Sequence, residues 1–253
     1  MSLAVVYDSC SIARGRYVKR DFLQIKKDKS LQIVANFFAL SAKNNLRLIV
    51  GILIFDQVEV LDVAGPFEVF SVTRLNEERR LKELSPFRVI LVSEKLDQVL
   101  AIGGLRFIPD VTFDNCPDLD LLMVPGGWGT RKEVKNDALL KWIAARAASK
   151  TKLIASVCTG SSLLGKAGLL DGREATTHWR AFDFLQESAP KTKIRRDVLF
   201  TMVEPIFTSA GVSAGIDLAL RIVSHFFGEE IAEATAQQME YPYPKNDRRR
   251  SHT

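Results

Sequence analysis

Short runs of almost unbroken aliphatic residues, separated by stretches of helical periodicity, constrain this chain more than any other feature. The first, Leu46 to Phe55 (LRLIVGILIF), has the continuous apolar pattern of a parallel strand covered on both faces. Similar runs recur at Phe87–Ser93, Leu119–Val124, Lys152–Val157 and Ile206–Ser209. Between and after them lie helical patterns at Ala64–Arg74, Asp137–Ser149, Gly160–Ala167, His178–Glu187, Ser213–Phe227 and Glu229–Glu240. Strands alternating with helices predict an α/β domain whose parallel sheet is sandwiched between helical layers. The segment Val99–Ile108, with Gly103-Gly104 at its centre, predicts a hairpin. No internal repeat or low-complexity linker interrupts residues 46–241, which we read as one domain. Residues 1–45 form a basic N-terminal extension with one amphipathic helix expected from about Ser30 to Lys43, and residues 242–253 form a basic C-terminal tail.

Charge is distributed unevenly, and its location decides its meaning. Residues 1–50 carry nine Lys/Arg against three Asp, and residues 245–253 carry four against one. The remainder is net −4, which gives no electrostatic reason to expect nucleic acid along the globular surface, and the basic ends are expected to be solvated. Cys10, Cys116 and Cys158 are odd in number and irregular in spacing, which fits neither a disulfide framework nor a zinc site. With only His178, His225 and His252 available besides, no metal is expected, and a reducing, cytoplasmic compartment follows. The apolar stretch Leu31–Ala42 is interrupted by Gln32 and Asn36 and falls far short of the ~20 residues a membrane helix needs. The basic block Lys26–Lys29 lies too far from Met1 to open a signal peptide, so neither membrane nor export is expected.

The chemistry concentrates in Lys152–Leu170 (KLIASVCTGSSLLGKAGLL). An apolar strand ends at Val157, Cys158 follows at once, and Thr159-Gly160-Ser161-Ser162 open a helix. A sharp strand-to-helix turn sets the side chain at its apex beside the amide-rich helix N-terminus, so a thiol pKa below the free value of roughly 8.5 is expected. The competing account is a buried cysteine acting as a small hydrophobe. A second turn, Leu121–Gly129 (LLMVPGGWG), opens a Gly-rich loop at the carboxyl end of another strand, where open α/β sheets bind ligands. If the two strands are neighbours, the backbone N–H groups of Gly127 and Thr159 can converge on one oxyanion; otherwise Pro-Gly-Gly is a tight turn.

These two segments, with Leu61-Asp62-Val63-Ala64-Gly65-Pro66 and Ala175-Thr176-Thr177-His178-Trp179, resemble the ThiJ/PfpI family over about Leu46 to Tyr241. The resemblance implies a flavodoxin-like three-layer sandwich with a mostly parallel central sheet, a cysteine nucleophile elbow at Cys158 and a homodimer. Within the family the chain looks most like the isonitrile hydratases, through S-V-C-T-G at 156–160, A-G-L-L-D-G-R-E-A-T-T-H-W at 167–179 and A-G-I-D-L-A-L at 214–220. Those lyases hydrate an isocyanide to an N-substituted formamide without metal or organic cofactor. Similar segments occur in amidase-like domains of AraC-type regulators, whose DNA-binding domain is not expected here because the chain stops about a dozen residues after Tyr241. The peptidase-like members place His directly after the cysteine; Thr159 stands there, which removes that Cys-His pair. Many relatives hold the cysteine with a Glu, and Asp62 stands at the matching position.

The expected catalytic set is therefore Cys158 as nucleophile, Asp62 as proton carrier and Thr159 through its backbone N–H, with Gly127, Thr159 and His178 contacting substrate. Asp62 must then lie within hydrogen-bond reach of the sulfur, with a pKa raised by burial; its competing role is as N-cap of the following helix. His178 is also compatible with simple packing. Trp128 and Phe67 border a pocket or, more simply, pack in the core, and Cys116 and His225 are expected to be structural. Rival activities are glyoxalase- or deglycase-like carbonyl chemistry and a non-enzymatic ligand- or redox-sensing domain.

Overall fold

A computed structural model describes residues 47–249. The helix expected near Ser30–Lys43, together with Cys10 and His252, lies outside the described residues. Four strands carry the parallel centre: β1 (Leu48–Leu53), β2 (Phe87–Ser93), β6 (Leu121–Val124) and β7 (Leu153–Ser156). β6 and β7 are wholly buried, as their uninterrupted apolar sequences require of strands covered on both faces. The expected hairpin forms from β3 (Val99–Leu100) and β4 (Arg106–Phe107), with Val99 opposite Phe107. Its turn uses positive φ at Gly103 and Gly104.

The seven-stranded sheet has the order β10-β11-β7-β6-β1-β2-β5, where β5 is Val111–Thr112, β10 is Phe200–Val203 and β11 is Ile206–Ser209. Every pairing is parallel except β10 with β11. From β1 the chain steps outward to β2 through α1 (Val60–Val72), whereas from β6 it steps the other way to β7 through α2 (Thr130–Glu133) and α3 (Asp137–Ala147). Right-handed crossovers running in opposite directions put their helices on opposite faces. The contacts agree: α1 packs with α6 (Ala214–Phe227) and α7 (Glu229–Gln238), while α4 (Gly160–Lys166) packs with α2, α3 and α5 (Phe182–Ser188). The result is an α/β flavodoxin-like sandwich, with helical layers on both sides of a mostly parallel sheet. Phe70 of α1, Phe87 of β2 and Phe227 of α6 pack together under one layer, with ring centroids 4.9 and 5.3 Å from that of Phe87.

Three features depart from expectation. α1 begins at Val60, before the expected Ala64, because its N-cap Glu59 makes no side-chain cap bond and so leaves no capping signal. Residues Phe200–Val203 form an antiparallel edge strand, and two-residue strands β8 (Glu174–Ala175) and β9 (Lys193–Ile194) pair in parallel; all are too short or too mixed in polarity to show a period. The described part of the C-terminal segment stays largely exposed but is pinned to the fold through its backbone. Leu199 N–H donates to Asp247 O at 2.6 Å, Val198 bridges Arg248, and Arg249 N–H donates to Asp197 O at 2.9 Å. Among the described residues, no helix is long and apolar enough to cross a membrane.

Candidate active site

Where the strand order reverses, between β1 and β6, the loops after the two strands zip together. Glu59 N–H donates to Gly126 O at 2.9 Å and Gly129 N–H to Gln57 O at 3.1 Å. The turn after β7 completes this corner, because β6 and β7 are neighbours with Val124 opposite Ser156. The adjacency required of the two glycine- and cysteine-bearing turns is therefore met at the carboxyl edge of the sheet, where α/β folds place ligands.

Cys158 occupies the turn between β7 and α4 with φ of 56°, a left-handed conformation that a side chain adopts at a cost of roughly 1–2 kcal/mol. Such strain persists only where surroundings over-determine it. Here the Cys158 N–H is shared between Ser209 O and Ala210 O, both at 3.2 Å, and its carbonyl accepts from Thr177 Oγ1 at 2.8 Å and Ser161 Oγ at 3.1 Å. The turn is tight against β6: a Cβ on Gly160 would stand 2.0 Å from Val124 O, and one on Gly126 would stand 2.9 Å from Cys158 Cβ. Only glycine permits either approach.

Asp62 lies in the first turn of α1 and is fully buried. Its side chain does not cap that helix, which settles the alternative role; Oδ2 accepts instead from Gly126 N–H across the site at 2.9 Å. Oδ1 is buried and completes no hydrogen bond of normal geometry, although the Cys158 thiol and the Val212 amide are close enough to favour a charge there. Burial dominates and holds the Asp62 carboxyl well above the ordinary range, as expected from sequence.

The thiol behaves contrary to expectation. Burial first, then the adjacent Asp62 carboxyl, push Cys158 up from its ordinary pKa, and the amide and hydroxyl of Thr159 only partly offset them. α4 has seven residues and a short dipole, too weak an opposing influence in a residue that is only 7% exposed. Two anions cannot coexist in so dry a corner, so the Asp62–Cys158 pair retains a proton at neutral pH.

Thr159 and Gly127 are brought together, though not as two free donors. Gly127 N–H donates to Thr159 Oγ1 at 3.0 Å, so this amide is committed within the protein and is not open to an oxyanion. Gly127 has φ of 129°, and a Cβ there would meet Gln57 O at 2.4 Å. Thr130 Oγ1 donates to Gly127 O at 2.7 Å and sits 3.0 Å from Thr159 Oγ1, which fixes the Thr159 hydroxyl from the far side. His178 Nδ1 accepts from Arg180 N–H at 3.2 Å, which leaves the proton of a neutral ring on Nε2. Its ring lies so close to Gly211 that a Cβ there would be 2.0 Å from Cδ2. Burial and then the positive charges of Arg249 and Arg180 lower its pKa and keep the ring neutral.

Val212, Thr130, Thr177 and Arg249 join the site without having been expected. Val212 carries a signal that only backbone geometry reveals, φ of 53° on a β-branched residue. Trp128 and Phe67, expected most simply in the core, are 64% and 38% exposed, and the Arg131 guanidinium covers the Trp128 ring at 4.4 Å. Cys116 is buried as packing requires, whereas His225 is an exposed ring set edge-on to Phe207. A cavity of about 390 Å³ lies elsewhere, between β10 and the C-terminal segment, and none of the expected site residues lines it.

The profile of the DJ-1/PfpI family matches residues 49–225. This chain belongs to the DJ-1/PfpI family. It is 37% identical over 206 residues to isonitrile hydratase of Pseudomonas putida, covering 80% of this chain and 82% of that protein. A crystal structure of a ThiJ/PfpI family protein from Pseudomonas syringae superposes with a TM-score of 0.66 at 32% identity, covering 79% of this chain and 78% of that one. The HTH-type transcriptional regulator GbdR of Pseudomonas aeruginosa strain UCBPP-PA14 is 29% identical over 198 residues, 78% of this chain; the match spans 52% of the regulator's own length.

Proposed function

We propose that this DJ-1/PfpI chain is a cofactor-independent cysteine enzyme that hydrates an isocyanide to an N-substituted formamide. The observation that carries the reading is the fully buried, proton-holding Asp62 set directly against the Cys158 thiol. It is supported by the identity with an isonitrile hydratase over four-fifths of the chain.

The terminal carbon of an isocyanide takes both a nucleophile and a proton, so the first step adds the elements of S–H to one atom. Cys158 sulfur forms a bond to that carbon while its proton passes through the Asp62 carboxyl to the same carbon, giving a thioimidate. A thiol with a raised pKa suits this step, since no free thiolate is needed at rest and the proton stays where it will be used. Water then adds to the thioimidate carbon, one of its protons passing through the Asp62 carboxyl to the imine nitrogen. Breaking the carbon–sulfur bond forms the formamide carbonyl, as the hydroxyl proton of the adduct passes through Asp62 to sulfur. One water is consumed and nothing is oxidised or reduced. Thr159 steadies negative charge on sulfur through its amide and hydroxyl. Gly127 fixes the Thr159 hydroxyl, and His178, with its proton on Nε2, is assigned as a donor to the substrate.

A small-molecule substrate, a homodimer and a cytoplasmic site of action belong to the same reading. A second reading, a ligand-sensing domain, is favoured by the similarity to transcriptional regulators. Incubation with cyclohexyl isocyanide separates the two: formamide released over many turnovers supports hydration. Saturable binding of the isocyanide without turnover by folded protein supports sensing and refutes hydration.

A further inference from the structure

We propose that Arg249, in the C-terminal segment, is a positioning residue for Cys158, acting through Thr177. The inference deepens the reading above and rests on Cys158 being the reacting group. Its starting point is the strained Cys158 backbone, held at its carbonyl by two hydroxyls. Ser161 is three residues away on the same turn and moves with it, so Thr177 is the anchor that ties the carbonyl to the rest of the molecule. Arg249 in turn ties down Thr177. Its Nη2 donates to Thr177 O at 3.0 Å and to Thr176 Oγ1 at 3.1 Å, and its guanidinium carbon lies 5.3 Å from the Phe182 ring centroid.

Among the described residues no carboxylate stands within ion-pair distance of this half-buried guanidinium, although the charge of Asp197 partly offsets its burial, and its Nε is buried without a hydrogen-bond partner. A cation held at that desolvation cost, by one bond to the Thr177 carbonyl and one to the Thr176 hydroxyl just before His178, is placed for orientation and not for surface charge. The segment that carries it is anchored on the edge of the sheet by the Asp247 and Asp197 carbonyls. The same charge contributes to keeping His178 neutral. Arg249 thus acts on two of the site's residues, one by geometry and one by field, without touching substrate.

The test uses the full-length protein with R249Q, R249K and T177V, and three readouts: kcat and KM with cyclohexyl isocyanide, the rate of Cys158 alkylation by iodoacetamide, and the His178 titration followed by NMR. R249Q is expected to lower kcat and the alkylation rate on the order of tenfold with little change in KM, the scale on which small misplacements of a reacting group act. R249K, which keeps a charged donor, recovers part of both losses. T177V reproduces the R249Q defect, and the double variant is no worse than either alone, because both break one chain of contacts. The His178 midpoint rises in R249Q and not in R249K.

Folded R249Q with wild-type alkylation and titration overturns the proposal, as does simple additivity of R249Q and T177V. Should R249Q fail to fold, T177V decides alone: unchanged Cys158 alkylation in that variant rejects the link. If wild-type protein shows no isocyanide turnover, the proposed reaction fails, while the alkylation and NMR readouts still judge Arg249.

Discussion

Replacing Asp62 by Asn should make the protein less active and, as pH rises, progressively more stable than wild type. The folded-state pKa of Asp62 is raised by burial, against about 3.9 for an Asp in an unfolded chain. Between those two values the native state binds the proton that the unfolded state has lost. Stability therefore falls with increasing pH across that window, by about 1.4 kcal/mol per pH unit for one group. Asn cannot ionise and removes this slope. It keeps an acceptor for the Gly126 N–H, but its NH₂ then shares the corner with the Val212 amide, a donor–donor conflict costing about 1–3 kcal/mol. That penalty does not depend on pH, so it displaces the stability curve without tilting it. Urea unfolding of both proteins at a series of pH values above about 4 should show the difference moving in favour of the variant, by up to roughly 1.4 kcal/mol per unit while Asp62 stays protonated in the native state. Parallel curves would refute the reasoning, because Asp62 would then ionise as an ordinary carboxylate and could not carry the proton assigned to it.

Cys158, with its pKa raised by burial and Asp62, should react slowly with iodoacetamide at neutral pH, at a rate still climbing well above the roughly 8.5 at which a free thiol levels off; a plateau there would place the sulfur in water. Gly126→Ala forces a Cβ to 2.5 Å from the Thr159 backbone nitrogen, so thermal unfolding should report a loss of about 1–3 kcal/mol together with loss of turnover. Thr159→Val strands the buried Gly127 N–H, which should cost about 1–3 kcal/mol in urea unfolding, and kcat should fall more than 1/KM because the sulfur loses a donor.

Most of the fold was legible because its information is local. The strands β1, β2, β6, β7 and β11 are continuous aliphatic runs, and their alternation with helices admits few arrangements. The Cys158 turn and the Gly126-Gly127 loop were legible for a related reason: glycines at a strand's carboxyl end mark close backbone approach, and a Cβ on Gly126 would indeed strike Thr159 and Cys158. What sequence could not supply is the third dimension of the site. The direction of the thiol's shift depends on burial and on the nearness of Asp62, which is 96 residues away in the chain. The helix-dipole argument fails on burial and not on helix length: α4 is within one residue of the expected Gly160–Ala167, but the turn before it is dry. Gly127 N–H appeared to be a free donor because nothing in the sequence shows that the Thr159 hydroxyl folds back onto it. Arg249 sits in a charged terminal run that reads as solvated, and only the backbone pairing of Asp247 and Arg248 with the 198–199 segment brings it under Thr177. Trp128 and Phe67 illustrate the converse, large apolar residues that face solvent where a core was expected.

The most direct test of the account is the covalent intermediate itself. Wild-type protein turning over cyclohexyl isocyanide is quenched in acid and the Cys158 peptide is weighed. The account predicts a fraction of that peptide heavier by the mass of one intact isocyanide, a smaller fraction in Asp62→Asn, where the proton relay to the isocyanide carbon is lost, and no formamide from Cys158→Ala. Formamide production that persists in Cys158→Ala, with no adduct on the wild-type cysteine, would contradict it.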